Sequence, residues 1–167
     1  MLQNFSEWLT ETPLHDFLSD TTRMSTWLIV PVSQTIHILA VSVLMICVGL
    51  LNLRALGIAG KRESFGKLAN DVMPYIWTAL AVLLFTGTVQ TIAEPTRELG
   101  SAAFATKMAL LIAVVSIAAV FQATTKKDAN YWSRSVERQW MVSILGAVSL
   151  FLWFGIAAAG RLIAYVT

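Results

Sequence analysis

Residues 27–53 read WLIVPVSQTIHILAVSVLMICVGLLNL, twenty-seven positions without an Asp, Glu, Lys or Arg. Crossing the hydrocarbon core of a bilayer takes about 20 mainly apolar residues in a helix, so this stretch is long enough to span. Three more stretches pass the same test once short polar interruptions are allowed: Val72–Ile92, Phe104–Ala123 and Met141–Tyr165. Only helices and closed barrels satisfy the backbone in lipid, and these runs lack the period-two alternation of barrel strands. The expected fold is all-α: one domain over residues 1–167, a four-transmembrane-helix up-and-down bundle.

Composition agrees. The 167 residues are 56% hydrophobic and 13% charged, against about 25% charged in an average soluble domain. That excludes a solvated globule and a disordered chain. A net charge of +2 leaves no basic face for nucleic acid. Cys47 is the single cysteine and allows no internal disulfide.

Residues 1–25 form a segment of their own. It carries Glu7, Glu11, Asp16 and Asp20, lacks the basic and apolar regions of a secretory signal, and is expected to remain on the mature protein. Phe5, Trp8 and Leu9, then Leu14, Phe17 and Leu18, recur near helical spacing, while Thr12-Pro13 reads as an N-cap followed by proline at the first helical position. The segment is expected to lie as two short amphipathic helices on the membrane surface or over the bundle mouth.

Charge placement sets an orientation. Arg54, Lys61, Arg62 and Lys67 fall in the first connection and Lys126, Lys127, Arg134 and Arg138 in the third, which is eight of twelve basic residues on one side. By the positive-inside rule that side is cytoplasmic and both termini lie outside, which is the periplasm for a bacterial inner-membrane protein. Trp27 and Tyr165 suit the outer interface, and Tyr75, Trp77, Trp132 and Trp140 the inner one. Small residues Ala105, Ala109, Ala113, Ser116, Ala119 and Ala123 line one side of the third segment, and Gly155 and Ala159 the fourth. They are expected to let helices approach within the bundle or across a homo-oligomer.

Ionisable groups within a membrane are costly, so they are candidates for function. His37 lies about two turns into the first segment, with Ser33 and Gln34 on the same helix face. A neutral imidazole there can ligate haem iron, titrate, or hydrogen-bond a neighbouring helix. Lys107 and Arg161 lie near the same outer end, either snorkelling to headgroups or facing inward to hold carboxylates such as haem propionates. Glu94, one turn from Gln90, is placed to neutralise one of them. His15, in the surface segment, completes the set.

Copper shared by His37 and Cys47 is disfavoured by ten residues of separation, about 15 Å along a helix. No zinc or di-iron spacing occurs. Since the later segments hold no histidine, haem b at His37 would be five-coordinate, or would take its sixth ligand from a methionine, from His15 or from another subunit.

The chain resembles an uncharacterised family of small four-helix bacterial inner-membrane proteins. The marks are Phe5 to Leu18, Pro31 with Ile36-His37-Ile38-Leu39, Leu53-Arg54-Ala55-Leu56-Gly57, Phe85-Thr86-Gly87, Phe104 to Lys107, and Gly160 to Tyr165. This resemblance implies the fold and points to His37, Arg54, Lys107 and Arg161, but names no reaction. The early-helix histidine and the lysine opening the third segment are also similar to copper-resistance D type membrane domains and to the four-helix haem-binding protoporphyrinogen oxidase. The latter implies a haem ligand at His37 and a companion role for Lys107, although Phe121-Gln122 stands where that oxidase has a further histidine.

Two functional expectations result. One is a b-type haem-binding membrane protein with an electron-transfer or haem-linked redox role near the periplasmic face, using His37, Lys107, Arg161, Gln34 and His15. The other is a non-enzymatic oligomeric channel, transporter or accessory subunit of a larger membrane complex, its vestibule lined by the same residues. A purely structural role for the polar groups stands beside both.

Overall fold

The computed structural model describes residues 2–20, 24–58, 64–99 and 102–163. Its helices are α1 (Leu2–Thr10), α2 (Pro13–Ser19), α3 (Met24–Ala55), α4 (Phe65–Ala93), α5 (Pro95–Leu99), α6 (Ala102–Lys127) and α7 (Val136–Ile163), with a 3-10 turn at Tyr131–Ser133. Among the described residues there is no strand. Four helices, α3, α4, α6 and α7, are long and apolar enough to cross a membrane, as the sequence predicts.

Each spanning helix begins before its apolar run, because polar turns outside the hydrocarbon continue the helix. The clearest case is α4, which begins seven residues before Val72: the Ser64 hydroxyl accepts the Lys67 N–H at 3.3 Å and caps the first turn. At 1.5 Å per residue the 32 residues of α3 reach about 48 Å, well beyond a roughly 30 Å hydrocarbon layer. The second connection also contains α5, which its Pro95-Thr-Arg-Glu-Leu99 sequence did not signal.

The four helices pack as a ring in which α3 lies against α4 and α7, and α6 against the same two. Their shared core includes Leu44, Val48, Leu51, Met73, Ile76 and Val114. At the end where α4 begins, Phe65, Phe121 and Trp132 meet edge to face, with centroids 5.3 to 6.5 Å apart. Such contacts favour the positive ring edge against a negative ring face. Trp132 is therefore a buried plug, with its indole N–H donating to the Thr124 hydroxyl at 3.0 Å, and not a belt residue. Tyr75 and Trp140 do lie exposed, while Trp77 donates to Gln122 Oε1 at 2.8 Å and ties α4 to α6.

A second seam joins α3 to α7. Asn52, 1% exposed, donates to Ser149 at 3.2 Å, and Ser143 donates to the Ala55 carbonyl at 2.7 Å. Gly146 lies between these contacts, where a Cβ would come 2.9 Å from Ala55 Cβ. Of the two roles expected for the α6 row Ala105, Ala109, Ala113, Ser116, Ala119 and Ala123, packing within the bundle is not the one seen, since every member is exposed on the outside of the single chain. Larger side chains such as Val114 and Phe121 fill the inward face instead.

The N-terminal segment forms the two expected helices. The Thr12 hydroxyl accepts the His15 N–H at 3.4 Å with Pro13 in the first turn, as Thr12-Pro13 predicts. Leu9 and Leu18 are buried against the bundle end, where α1 rests on α5 and α2 on α3 and α4, while Phe5, Trp8, Leu14 and Phe17 remain exposed.

The tightest glycine is Gly66, whose added Cβ would run into the Ala129 carbonyl of the α6–α7 connection. Overpacking against backbone costs about 1–3 kcal/mol, so Gly66→Ala is expected to lower the thermal midpoint in detergent by roughly 2–12 °C. Gly49→Ala, which meets nothing within 4 Å, is expected to leave it unchanged or higher. Equal midpoints for the two variants in a thermal melt would refute this packing.

Candidate functional site

The half of the α3–α4 pair nearer the N-terminal segment carries four polar side chains in register. Ser33 and His37 are one turn apart on α3, and Thr86 and Gln90 are one turn apart on α4. The Thr86 hydroxyl donates to the Val82 carbonyl in its own helix at 2.8 Å, a common arrangement for a mid-helix threonine. With its one proton so used, its lone pair faces the imidazole, and His37 Nδ1 lies 2.7 Å away. The arrangement that satisfies both contacts has His37 Nδ1–H donating to Thr86 Oγ1, which leaves Nε2 as a bare lone pair.

The Thr86 carbonyl completes the clamp by accepting from Ser33 Oγ at 3.3 Å and from Gln90 Nε2 at 3.2 Å. Beside the ring stands Gly87, where an added Cβ would lie 3.7 Å from His37 Cε1. That is ordinary contact, so an alanine would fit, but a longer side chain would extend along the ring edge that carries Nε2. Ser33 and Thr86 are buried and His37 is half-buried.

The other residues singled out by the sequence divide. Lys107 is half-buried near the start of α6. Among the described residues no ion pair joins it to Glu94, whose backbone N–H donates to the Gln90 carbonyl at 3.1 Å at the end of α4. Gln34 is exposed on α3 and outside the clamp, and the buried member of that pair is Ser33. Arg161 lies in the last turn of α7, and its side chain is outside the described residues. The side chains of Arg23, Trp27, Lys61, Arg62, Arg97 and Tyr165 also lie outside them.

His15 has a different place. Its Nδ1–H donates to the Ile92 carbonyl at 2.9 Å, in the last turn of α4, where carbonyls lack intrahelical partners. The contact fastens α2 over the bundle end. Ile92 and Thr86 are six residues apart, about 9 Å along the helix, so the two histidines attach to α4 at different heights.

Thr86 is the residue that sequence reasoning missed. Its signal was faint: a threonine between Phe85 and Gly87 with Gln90 one turn on, in a stretch that also holds Thr78, Thr88 and Thr91.

Among the described residues no group of three or more His, Cys, Asp or Glu could hold a metal ion. A bare ion would find too few protein donors, whereas a metal already held in a macrocycle needs only an axial nitrogen. Below the clamp, Leu44, Ala79 and Val114 form an apolar layer. Deeper still, Asn52, Ser149 and Trp153 line a cavity of about 20 Å³, room for a single water.

No curated protein and no solved structure matches the chain. One protein family does, over residues 5–166, which is nearly the whole length. A helical membrane bundle with a histidine clamp between α3 and α4 is thus a member of a family of unknown function, DUF6644.

Proposed function

We propose that the protein binds haem b through His37 Nε2 in the outer half of the bundle. In this reading it is a bacterial inner-membrane protein with both termini in the periplasm and an electron-transfer or haem-linked redox role near that face. The observation that carries the reading is the relay from His37 Nδ1–H through Thr86 to the Val82 carbonyl. A histidine that ligates a metal usually donates its other ring N–H to a fixed acceptor, which sets tautomer and orientation. The likeness to copper-resistance D type domains and to the four-helix protoporphyrinogen oxidase belongs to this proposal and rests on His37 and Lys107.

Each residue has a part. Thr86 positions the imidazole, Ser33 and Gln90 hold the backbone beneath Thr86, Gly87 leaves the ring edge clear, and Lys107 supplies a cation for an anionic group. When bound, haem iron supplies one-electron chemistry or an open position for a small ligand. His15 is engaged at the end of α4 and serves as a fastener of the surface segment.

A second reading is an oligomer, and the outward small-residue row of α6 favours it. Small residues let membrane helices approach closely, and Ala109, Ala113 and Ser116 have no partner helix in the single chain. A strictly monomeric mass in nanodiscs would remove this reading.

Purified protein supplied with haem is expected to show a Soret band. His37→Ala should abolish it, and Gly87→Leu should weaken it at least tenfold in affinity while the helical circular dichroism is unchanged. No Soret band in the unaltered protein, with or without added haem, overturns the reading. In the haem-free protein, nitrogen NMR is expected to find the His37 proton on Nδ1, and Thr86→Val should shift it toward a mixture of tautomers. A proton already on Nε2 in the unaltered protein would contradict the relay.

A further inference from the structure

The connection between α6 and α7 holds its cations in one place. Lys126 and Lys127 end α6, Arg134 follows the 3-10 turn, and Arg138 lies in the first turn of α7, against two acids, Asp128 and Glu137. The turn is tied together internally. Arg134 pairs with Asp128 at 2.9 Å, the Tyr131 N–H donates to the Asp128 carbonyl at 3.0 Å, and the Arg138 guanidinium sits 4.2 Å over the Tyr131 ring. Arg138 also donates to the Tyr131 carbonyl at 3.4 Å. Two of the four cations are therefore held in position, and one acid is already neutralised.

Lys126 and Lys127 are exposed, and neither makes an ion pair among the described residues. The row Val136, Trp140, Ile144 and Phe151 begins directly beside this charge on the outer face of α7, and these residues are 59 to 79% exposed. A cationic rim above a continuous apolar helix face matches a molecule that joins an anionic headgroup to acyl chains. A free phosphate would satisfy the rim alone and leave the helix face unused.

We propose that the Lys126–Arg138 rim and the outer face of α7 form a binding site for an anionic glycerophospholipid. The phosphate is held by Lys126 and Lys127 with the positioned Arg138 beside them, and an acyl chain lies along Val136, Trp140 and Ile144. Basic residues near a membrane surface attract anionic lipid, and the attraction is screened by salt. The site is independent of His37 and of any cofactor.

The test uses the full chain in detergent, with Lys126→Gln/Lys127→Gln as the variant, because both side chains are exposed and cross-link nothing. Thermal midpoints are measured with added phosphatidylglycerol, phosphatidylcholine or inorganic phosphate, and retained lipid is counted by native mass spectrometry. Phosphatidylglycerol is expected to raise the midpoint by about 4 °C, more than either of the others. The double variant should lose that increment, as should the unaltered protein in high salt. Equal shifts from the two lipids, a shift from phosphate as large as that from phosphatidylglycerol, or an undiminished increment in the double variant would each overturn the proposal.

Discussion

A polar side chain facing hydrocarbon finds no water to bond, and that constraint sorts the hydroxyls of this bundle into two groups. Those turned outward bond their own helix: Thr35 to the Pro31 carbonyl, Ser42 to Ile38, Thr78 to Pro74, Thr88 to Leu84 and Ser116 to Ile112, all one turn back. Several of those turned inward reach a second helix, although the buried Thr125 bonds the Phe121 carbonyl of its own helix. Ser33 crosses to α4 and Ser143 to α3, while Ser149 receives Asn52 from α3. Cross-helix bonds of this kind average roughly 0.6 kcal/mol each. Their larger effect is on register, because a slip of one turn would leave several polar atoms without partners at once.

Helix α3 is the common member of these contacts. Its N-terminal half is joined to α4 through Ser33 and His37, and its C-terminal half to α7 through Asn52 and the Ala55 carbonyl. A third bond, from Trp77 to Gln122, ties α4 to α6. The histidine clamp is therefore built on the most extensively packed helix pair and lies about 22 Å along α3 from the Asn52 seam, with Ala40, Leu44 and Val48 buried between them. Sites in membrane bundles need such support, since the tilt and rotation of each helix follow from packing against its neighbours.

The spanning runs and the Thr12-Pro13 cap were legible in the sequence because they depend on composition and local geometry alone. Helix rotation was not. In water the inward face announces itself by apolar periodicity, but here lipid and core are both apolar, so α3 and α6 carry almost no such signal. That is why Ser33 and Gln34 could not be told apart, and why the alanine row of α6 could be read as facing either the bundle or another subunit until the structure turned it outward. Trp132 followed a belt statistic, whereas the short connection folded it inward onto Phe65 and Phe121. Thr86 was hidden for a similar reason: its importance comes from His37 at 49 residues' remove, and only the α3–α4 register joins them.

The choice of histidine at position 37 carries an argument of its own. A clamp between α3 and α4 could be made with an amide or hydroxyl, as Asn52 and Ser149 do between α3 and α7. An imidazole used that way is a poor cross-link, since it satisfies one nitrogen and leaves the other needing a partner, and a buried unsatisfied polar atom costs about 1–3 kcal/mol. His37 is only half-buried, and its neighbour along the helix pair is Gly87 instead of a side chain that could bond or cover the second nitrogen. A structural role explains Nδ1 and the threonine that receives it. It leaves Nε2 without a hydrogen bond among the described residues, and that nitrogen is the one the proposed axial ligation would use.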